Sequence, residues 1–155
     1  MKTWITITVM AATALAFCGA AAAAAPNPLV MPNKMVGGVE FNQYTPGVAG
    51  GIGLHNIGLL IQTPGRVVPG SSNTTEKYFY INDGSNLNDT SGFLGLRVSY
   101  ANLAAGNSIT PPADNTYVVI IGISSTTVLI GPPPDLIQRI IPTLRPRDQT
   151  DIAPF

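Results

Sequence analysis

From Leu59 onward the apolar residues come in short runs punctuated by Gly, Pro, Asn and Asp, with no recurrence at helical spacing. Such runs predict strands. Residues 59–68 form the first, bent where Pro64-Gly65 interrupts it, as strands of curled barrels are. Residues 77–81 form the second, closed by Asn82-Asp83-Gly84, whose Asp-Gly step readily takes the positive φ of a tight turn. Residues 93–100 form the third. Residues 117–123 form the fourth, extended past Ser124-Ser125 by residues 126–130; it is apolar throughout, which predicts cover on both faces. Residues 136–144 form the fifth, where Pro142 lacks a ladder donor and argues for an edge position or a bulge. Between the third and fourth, residues 101–115 hold at most one helical turn, because Gly106 and Pro111-Pro112 forbid its continuation. The predicted fold class is all-β: a small five-stranded barrel, with a small β-sandwich as the alternative.

Upstream the pattern changes twice. Residues 26–58 are rich in Gly, Pro and Asn without a helical period, so residues 25–56 read as an extended arm ahead of a domain at 57–155. Residues 1–24 read as a secretory signal peptide: Lys2 gives the positive charge, Trp4 to Phe17 an uncharged apolar run, and the small residues of 19–25 several Ala-x-Ala cleavage sites. Pro26 is a poor residue to follow a cut, which places cleavage within residues 20–25. A lipid anchor at Cys18 is disfavoured, since Phe17 stands where such sites want Gly, Ala or Ser. No later segment reaches ~18 uncharged apolar residues, so no membrane span is expected and the product is secreted, extracellular or at the cell surface.

Composition sharpens this picture. Cys18 is the sole cysteine and leaves with the signal, so the mature domain must stand without disulfides. Eight Lys+Arg face eight Asp+Glu; loss of Lys2 leaves seven against eight, a formal charge of −1, which draws no polyanion. Charged residues are only 10% of the chain, against 16 Gly and 14 Pro, a weak surface-charge defence against self-association.

Several phrases, in this order, carry a resemblance: Tyr44-Thr45-Pro46-Gly47-Val48 with Gly51-Ile52-Gly53-Leu54, Ile57-Gly58-Leu59-Leu60, Tyr78-Phe79-Tyr80-Ile81-Asn82-Asp83-Gly84-Ser85, Gly95-Leu96-Arg97-Val98, Gly122-Ile123-Ser124-Ser125 and Arg145-Pro146-Arg147-Asp148-Gln149-Thr150-Asp151-Ile152. Spanning most of residues 28–152, they resemble uncharacterised exported bacterial proteins with OB-fold-like domains, a nucleic-acid-binding type of fold, near the C-terminus. The resemblance implies an OB-like barrel. In such proteins a second OB-like unit often precedes this one, whereas here the signal runs straight into the joining arm. The near-absent helix between the third and fourth strands is a second departure from the OB pattern.

OB-folds bind oligonucleotides or sugars on the face of their second and third strands, with stacking aromatics and basic side chains. Alternation puts Tyr78 and Tyr80 on one face and Phe79 and Ile81 on the other. With Phe79 and Ile81 in the core, Tyr78, Tyr80, Arg97 and Tyr100 become the candidate ligand-binding residues; the plainer alternative is tyrosines that cap the barrel or pack under the arm. Arg139, Arg145 and Arg147 are interleaved with Asp135, Asp148 and Asp151, which cancels the field a phosphate chain would feel and argues against nucleic acid. His55 is the sole histidine, so a multi-histidine metal site is impossible. Asp83, Asn86, Asn88 and Asp89 make an oxygen-rich loop that could hold calcium, but it lacks the bidentate Glu of the calcium-loop pattern and reads first as an ordinary polar turn. Asn73-Thr74-Thr75 and Asn88-Asp89-Thr90 fit the glycosylation sequon.

No G-x-S-x-G elbow, dinucleotide loop or recognisable acid-base pair occurs, so the expectation is a protein that is not an enzyme and uses no cofactor. The leading expectation is a secreted structural protein that self-assembles, its partner being itself, as a filament or sheath subunit. Its arm, with no neighbouring OB unit to receive it, would make the subunit contacts. The alternative is a monomeric OB-fold binding module whose tyrosine face takes an oligosaccharide.

Overall fold

A computed structural model of the chain describes residues 26–37, 55–130 and 138–155. Residues 1–25, where the signal peptide is expected, and residues 38–54 of the expected arm lie outside these. The described residues are all-β. Their seven strands share one mixed sheet, and their helix is limited to two 3₁₀ turns, Asn33–Met35 and Gln149–Asp151. In chain order the strands are β1 (Leu29–Val30), β2 (Leu60–Val67), β3 (Tyr78–Asn82), β4 (Leu96–Ser99), β5 (Tyr117–Ile130), β6 (Gln138–Arg145) and β7 (Ile152–Pro154). The five longer runs legible in the sequence correspond to β2 through β6. No helix among the described residues is long and apolar enough to cross a membrane.

The sheet order is β1-β2-β3-β4-β6-β5-β7, and β2 also pairs with β5, so β2, β3, β4, β6 and β5 hydrogen-bond in a ring. Every pairing within the ring is antiparallel except β4 with β6. Two strands make the ring possible by changing partners along their length. On one edge β2 meets β1 at Ile61 and Gln62 and then β3 at Arg66 and Val67, while its other edge pairs with β5. Pro64 falls between the β1 and β3 ladders, where a residue without an N–H costs least. Gly65 follows: a Cβ there would stand 3.0 Å from the Ile81 Cβ and 3.2 Å from the Asn82 nitrogen, so glycine lets β3 cross this closely without either strand giving way. The same device recurs on β5, which pairs with β2 over residues 117–123 and with β6 over 123–130. At that exchange a Cβ on Gly122 would lie 2.8 Å from the Arg145 carbonyl.

The core gathers Ile61 and Val67 of β2, Phe79 and Ile81 of β3, Leu96 and Val98 of β4, Val118 and Ile120 of β5, and Leu144 of β6. The 101–115 connection contains no helix, yet it adds Ile109 to the core and packs Leu103 against it.

Three expectations need correction. β5 is not covered on both faces: Val118 and Ile120 are buried, but Tyr117 and Ile123 on the alternate face are exposed. β6 is not an edge strand, since it lies between β4 and β5. Pro142 is tolerated there because the β4 ladder reaches only Thr143 and Leu144. Finally, the start of the arm has a home within its own chain. β1 runs parallel beside β2, the Met31 N–H donates to the Gln62 carbonyl at 3.1 Å, and Met31 and Val36 join the core.

Polar bonds fix that docking. The Asn33 side chain, fully buried, donates to the Ile81 carbonyl at 2.9 Å and accepts from the Thr63 hydroxyl at 2.8 Å. Its backbone N–H donates to Asp83 Oδ2 at 2.8 Å. Asn56 repeats the arrangement: its Oδ1 accepts from the Gly37 N–H at 2.8 Å and from the Ser124 hydroxyl at 2.9 Å, and its Nδ2 donates to the Met35 carbonyl.

Candidate functional site

The register of β3 against β4 places Tyr78 opposite Ser99 and Tyr80 opposite Arg97, so Tyr78, Tyr80 and Arg97 share the face that points away from the core. The structure therefore brings three of the four candidate residues together. Tyr100 goes elsewhere. Three positions from Arg97, it faces the other side of the strand, where it is 4% exposed and its ring lies 6.3 Å from that of Phe79.

The shared face is not open. The Tyr80 side chain is wholly buried; Phe93, from the loop between β3 and β4, lies over it with ring centroids 5.2 Å apart. Its hydroxyl donates to Asp89 Oδ2 at 3.0 Å, and burial pushes its pKa well above the usual tyrosine value. Tyr78 meets Tyr80 edge-on at 5.9 Å, and the Arg97 guanidinium sits 3.7 Å above the Tyr78 ring. Arg97 also pairs with Glu76 at 3.8 Å. Rings and cation pack against one another, although the buried Arg97 Nε–H has no partner among the described residues, and Tyr78 alone of the four keeps appreciable exposure. This is the plainer alternative, tyrosines capping the ring, with the loop rather than the arm as the cover.

The oxygen-rich loop is likewise self-contained. Asp83 Oδ1 accepts from the Ser85 N–H, Asn88 Oδ1 from the Thr90 N–H, and Asp89 Oδ1 from the Ser91 N–H, each two residues on, at 2.9 to 3.0 Å. These are Asx turns. Asn86 Oδ1 accepts from Asn82 Nδ2 at 3.0 Å. Burial pushes the Asp83 carboxyl up, but the Ser85 and Asn33 bonds outweigh it and hold it below the usual carboxylate range. Among the described residues no three His, Cys, Asp or Glu side chains come together as a metal site.

No family model, curated protein or solved structure matches this chain. The site must therefore be argued from its own geometry.

Two other regions stand out. A groove of about 470 Å³ lies between Arg66, Asn82, Asp83, Tyr117 and Phe155. Tyr117 and Phe155 are 54% and 77% exposed with ring centroids 6.2 Å apart, and the Phe155 N–H donates to the Tyr117 carbonyl. The second region flanks residues 101–109, with a cleft of about 310 Å³ against Tyr100 and one of about 500 Å³ against Arg145. Sequence singled out Tyr100, Arg145 and Arg147 of the second region without bringing them together, and it did not single out the first region. The aromatic closing residue Phe155 was the available signal for the first, and the odd spacing between Arg97 and Tyr100 for the second.

Proposed function

We propose that the mature protein is an exported, non-enzymatic structural subunit that associates with copies of itself outside the cell, as a filament or sheath. Its fold on this reading is an OB-like barrel. The five-membered strand ring with a single parallel pairing supports that assignment.

One observation carries the assembly reading: both outer strands of the sheet order end in bare apolar side chains. Leu29 and Val30 of β1 are 53% and 67% exposed, and Phe155 after β7 is 77% exposed, on a chain in which 10% of residues are charged. Two different patches on one subunit make a heterologous contact, which repeats head to tail unless its rotation closes a ring. The backbone does not lead this contact. β1 is two residues long and flanked by Pro28 and Pro32, and Pro154 sits in β7, which are the features that blunt an edge against strand addition. Side-chain burial is the attraction instead, and residues 26–37 serve as part of the subunit rather than as an exchanged arm.

The test is light scattering after size-exclusion chromatography, then negative-stain imaging, on protein secreted by its own signal. Large species that Leu29→Lys with Phe155→Lys reduces to monomers are expected. A wild-type monomer of about 13 kDa, the mass left after signal removal, overturns the reading.

A further inference from the structure

The two clefts beside residues 101–109 border two of the four buried polar groups that lack a partner among the described residues, the other two being Ser85 Oγ and Arg97 Nε. Tyr100 lines the smaller one. Its hydroxyl is buried and bonds to nothing among the described residues, although nearly all buried polar groups are paired. Burial raises its pKa, so the hydroxyl stays a neutral donor. Arg145 lines the larger cleft, and its Nε–H is also buried without a partner.

Asn102, Leu103 and Asn107 belong to the walls of both clefts, so the two spaces adjoin across the same short loop. That loop is held in place. Asn107 Nδ2 donates to the Arg147 carbonyl at 3.1 Å, the Thr110 N–H donates to Gln149 Oε1 at 2.8 Å, and Ile109 is in the core. An orphaned donor on a fixed wall is a recognition element in waiting, because a ligand that satisfies it removes a penalty the folded chain already carries.

The charges choose the ligand. Arg147 is consumed by a two-pronged pair with Asp151, and Asp148 Oδ1 accepts from the Thr150 N–H and hydroxyl. Lys77 and Arg145 remain as cations with no carboxylate partner among the described residues. Around them stand hydroxyl and amide groups of Tyr100, Asn102, Asn107 and Ser108, with Leu103 as an apolar rib. Both spaces fall in the ~300–1,000 Å³ range of small-molecule sites.

We propose that these adjoining clefts form one binding site for an acidic sugar, with Arg145 taking the carboxylate in the larger cleft while Lys77, Tyr100 and the amides take ring hydroxyls. The site is separate from the filled Tyr78–Tyr80–Arg97 face and does not depend on self-assembly.

The probe is D-glucuronate, titrated into the secreted protein and followed by amide chemical shifts, with D-glucose and acetate alongside. Saturable shifts confined to residues 77, 100–109 and 145–148 are expected, with both comparison compounds weaker. Tyr100→Phe removes only the hydroxyl and keeps the ring; it weakens glucuronate about fivefold while leaving the melting temperature unchanged or higher. Arg145→Gln weakens it by about tenfold or more, as loss of a charge-assisted bond does. Absence of shifts up to about 50 mM glucuronate, a concentration that would reveal even millimolar affinity, overturns the proposal. So does equal binding of glucose or acetate, or a Tyr100→Phe variant that binds as well as the original.

Discussion

β1 and β7 do the same architectural job by different means. Each fills an edge that a longer strand leaves open, β1 on β2 and β7 on β5. β1 is held by buried neutral side-chain bonds and one bond to a carboxylate: the Asn33 side chain, fully buried, ties β2 and β3 to the arm, its N–H donates to Asp83 of the β3–β4 loop, and Asn56 ties the arm to β5. β7 is held by an ion pair at its entrance. Asp151, 4% exposed, accepts from the Arg147 backbone N–H at 2.7 Å and from its guanidinium at 2.7 and 3.0 Å, but the Arg147 side chain is 60% exposed. Buried networks are costly to leave half-made, whereas an ion pair with one partner in water is screened. The β1 end should therefore be the brittle one.

Asn33→Ala gives the largest effect. It empties a buried position and strands the Ile81 carbonyl and the Thr63 hydroxyl, a loss of about 3 kcal/mol in urea unfolding. A loss under about 1 kcal/mol would mean that β1 is peripheral to the fold. At the other end Asp151→Asn comes next, about 1–2 kcal/mol, because a buried acceptor of charge-assisted bonds is weakened. Arg147→Ala costs less than about 1 kcal/mol, since the backbone bond to Asp151 survives and the lost partner is exposed. Should Arg147→Ala prove as costly as Asn33→Ala, the contrast between the two ends fails.

Acid sharpens the comparison further. Asp83 receives the Asn33 N–H at the β1 end, and Asp151 receives Arg147 at the β7 end; burial pushes both carboxyls up, and the donated bonds more than reverse it. Groups whose folded pKa is depressed add stability above their unfolded value, about 3.9 for Asp, and lose it as pH falls through the folded value. Unfolding free energy should thus decline as the pH drops below about 4, and Asp83→Asn and Asp151→Asn should each flatten part of that decline. A decline unchanged in both variants would assign the acid sensitivity to other carboxylates.

Much of this architecture was legible because turn chemistry is local. Asp83-Gly84 and Pro64-Gly65 mark a strand end and a crossing in the sequence itself, and the strands follow with boundaries displaced by a few residues. Alternation put Tyr78 and Tyr80 on one face, and the β3–β4 register adds Arg97 to it. Alternation could not show that Phe93 and Asp89 close over that face, because the loop's path depends on packing rather than on residue type. Asn33 was illegible for a related reason. Its partners Ile81 and Asp83 lie 48 and 50 residues away, and no local pattern announces a polar side chain that crosses a core. The placement of Tyr100, by contrast, was present in the strand parity: an odd spacing from Arg97 dictates the opposite face.

The smallest stability effect carries the most functional weight. Phe155 is 77% exposed and touches the described chain chiefly through its ring contact with Tyr117 and its backbone bond to the Tyr117 carbonyl, which any residue would keep. Phe155→Ser should therefore change unfolding free energy by no more than about 0.5 kcal/mol, the range of ordinary surface substitutions. If the exposed ring instead serves contact between subunits, the same change removes apolar area from every repeat of a head-to-tail assembly, and its effect multiplies along the polymer. Comparing the unfolding midpoint with the scattering mass of one variant separates these roles. A stable monomer from an assembling wild type places Phe155 at the interface, whereas destabilisation beyond about 1 kcal/mol makes the ring a clamp on β7 and returns the interface to Leu29 and Val30.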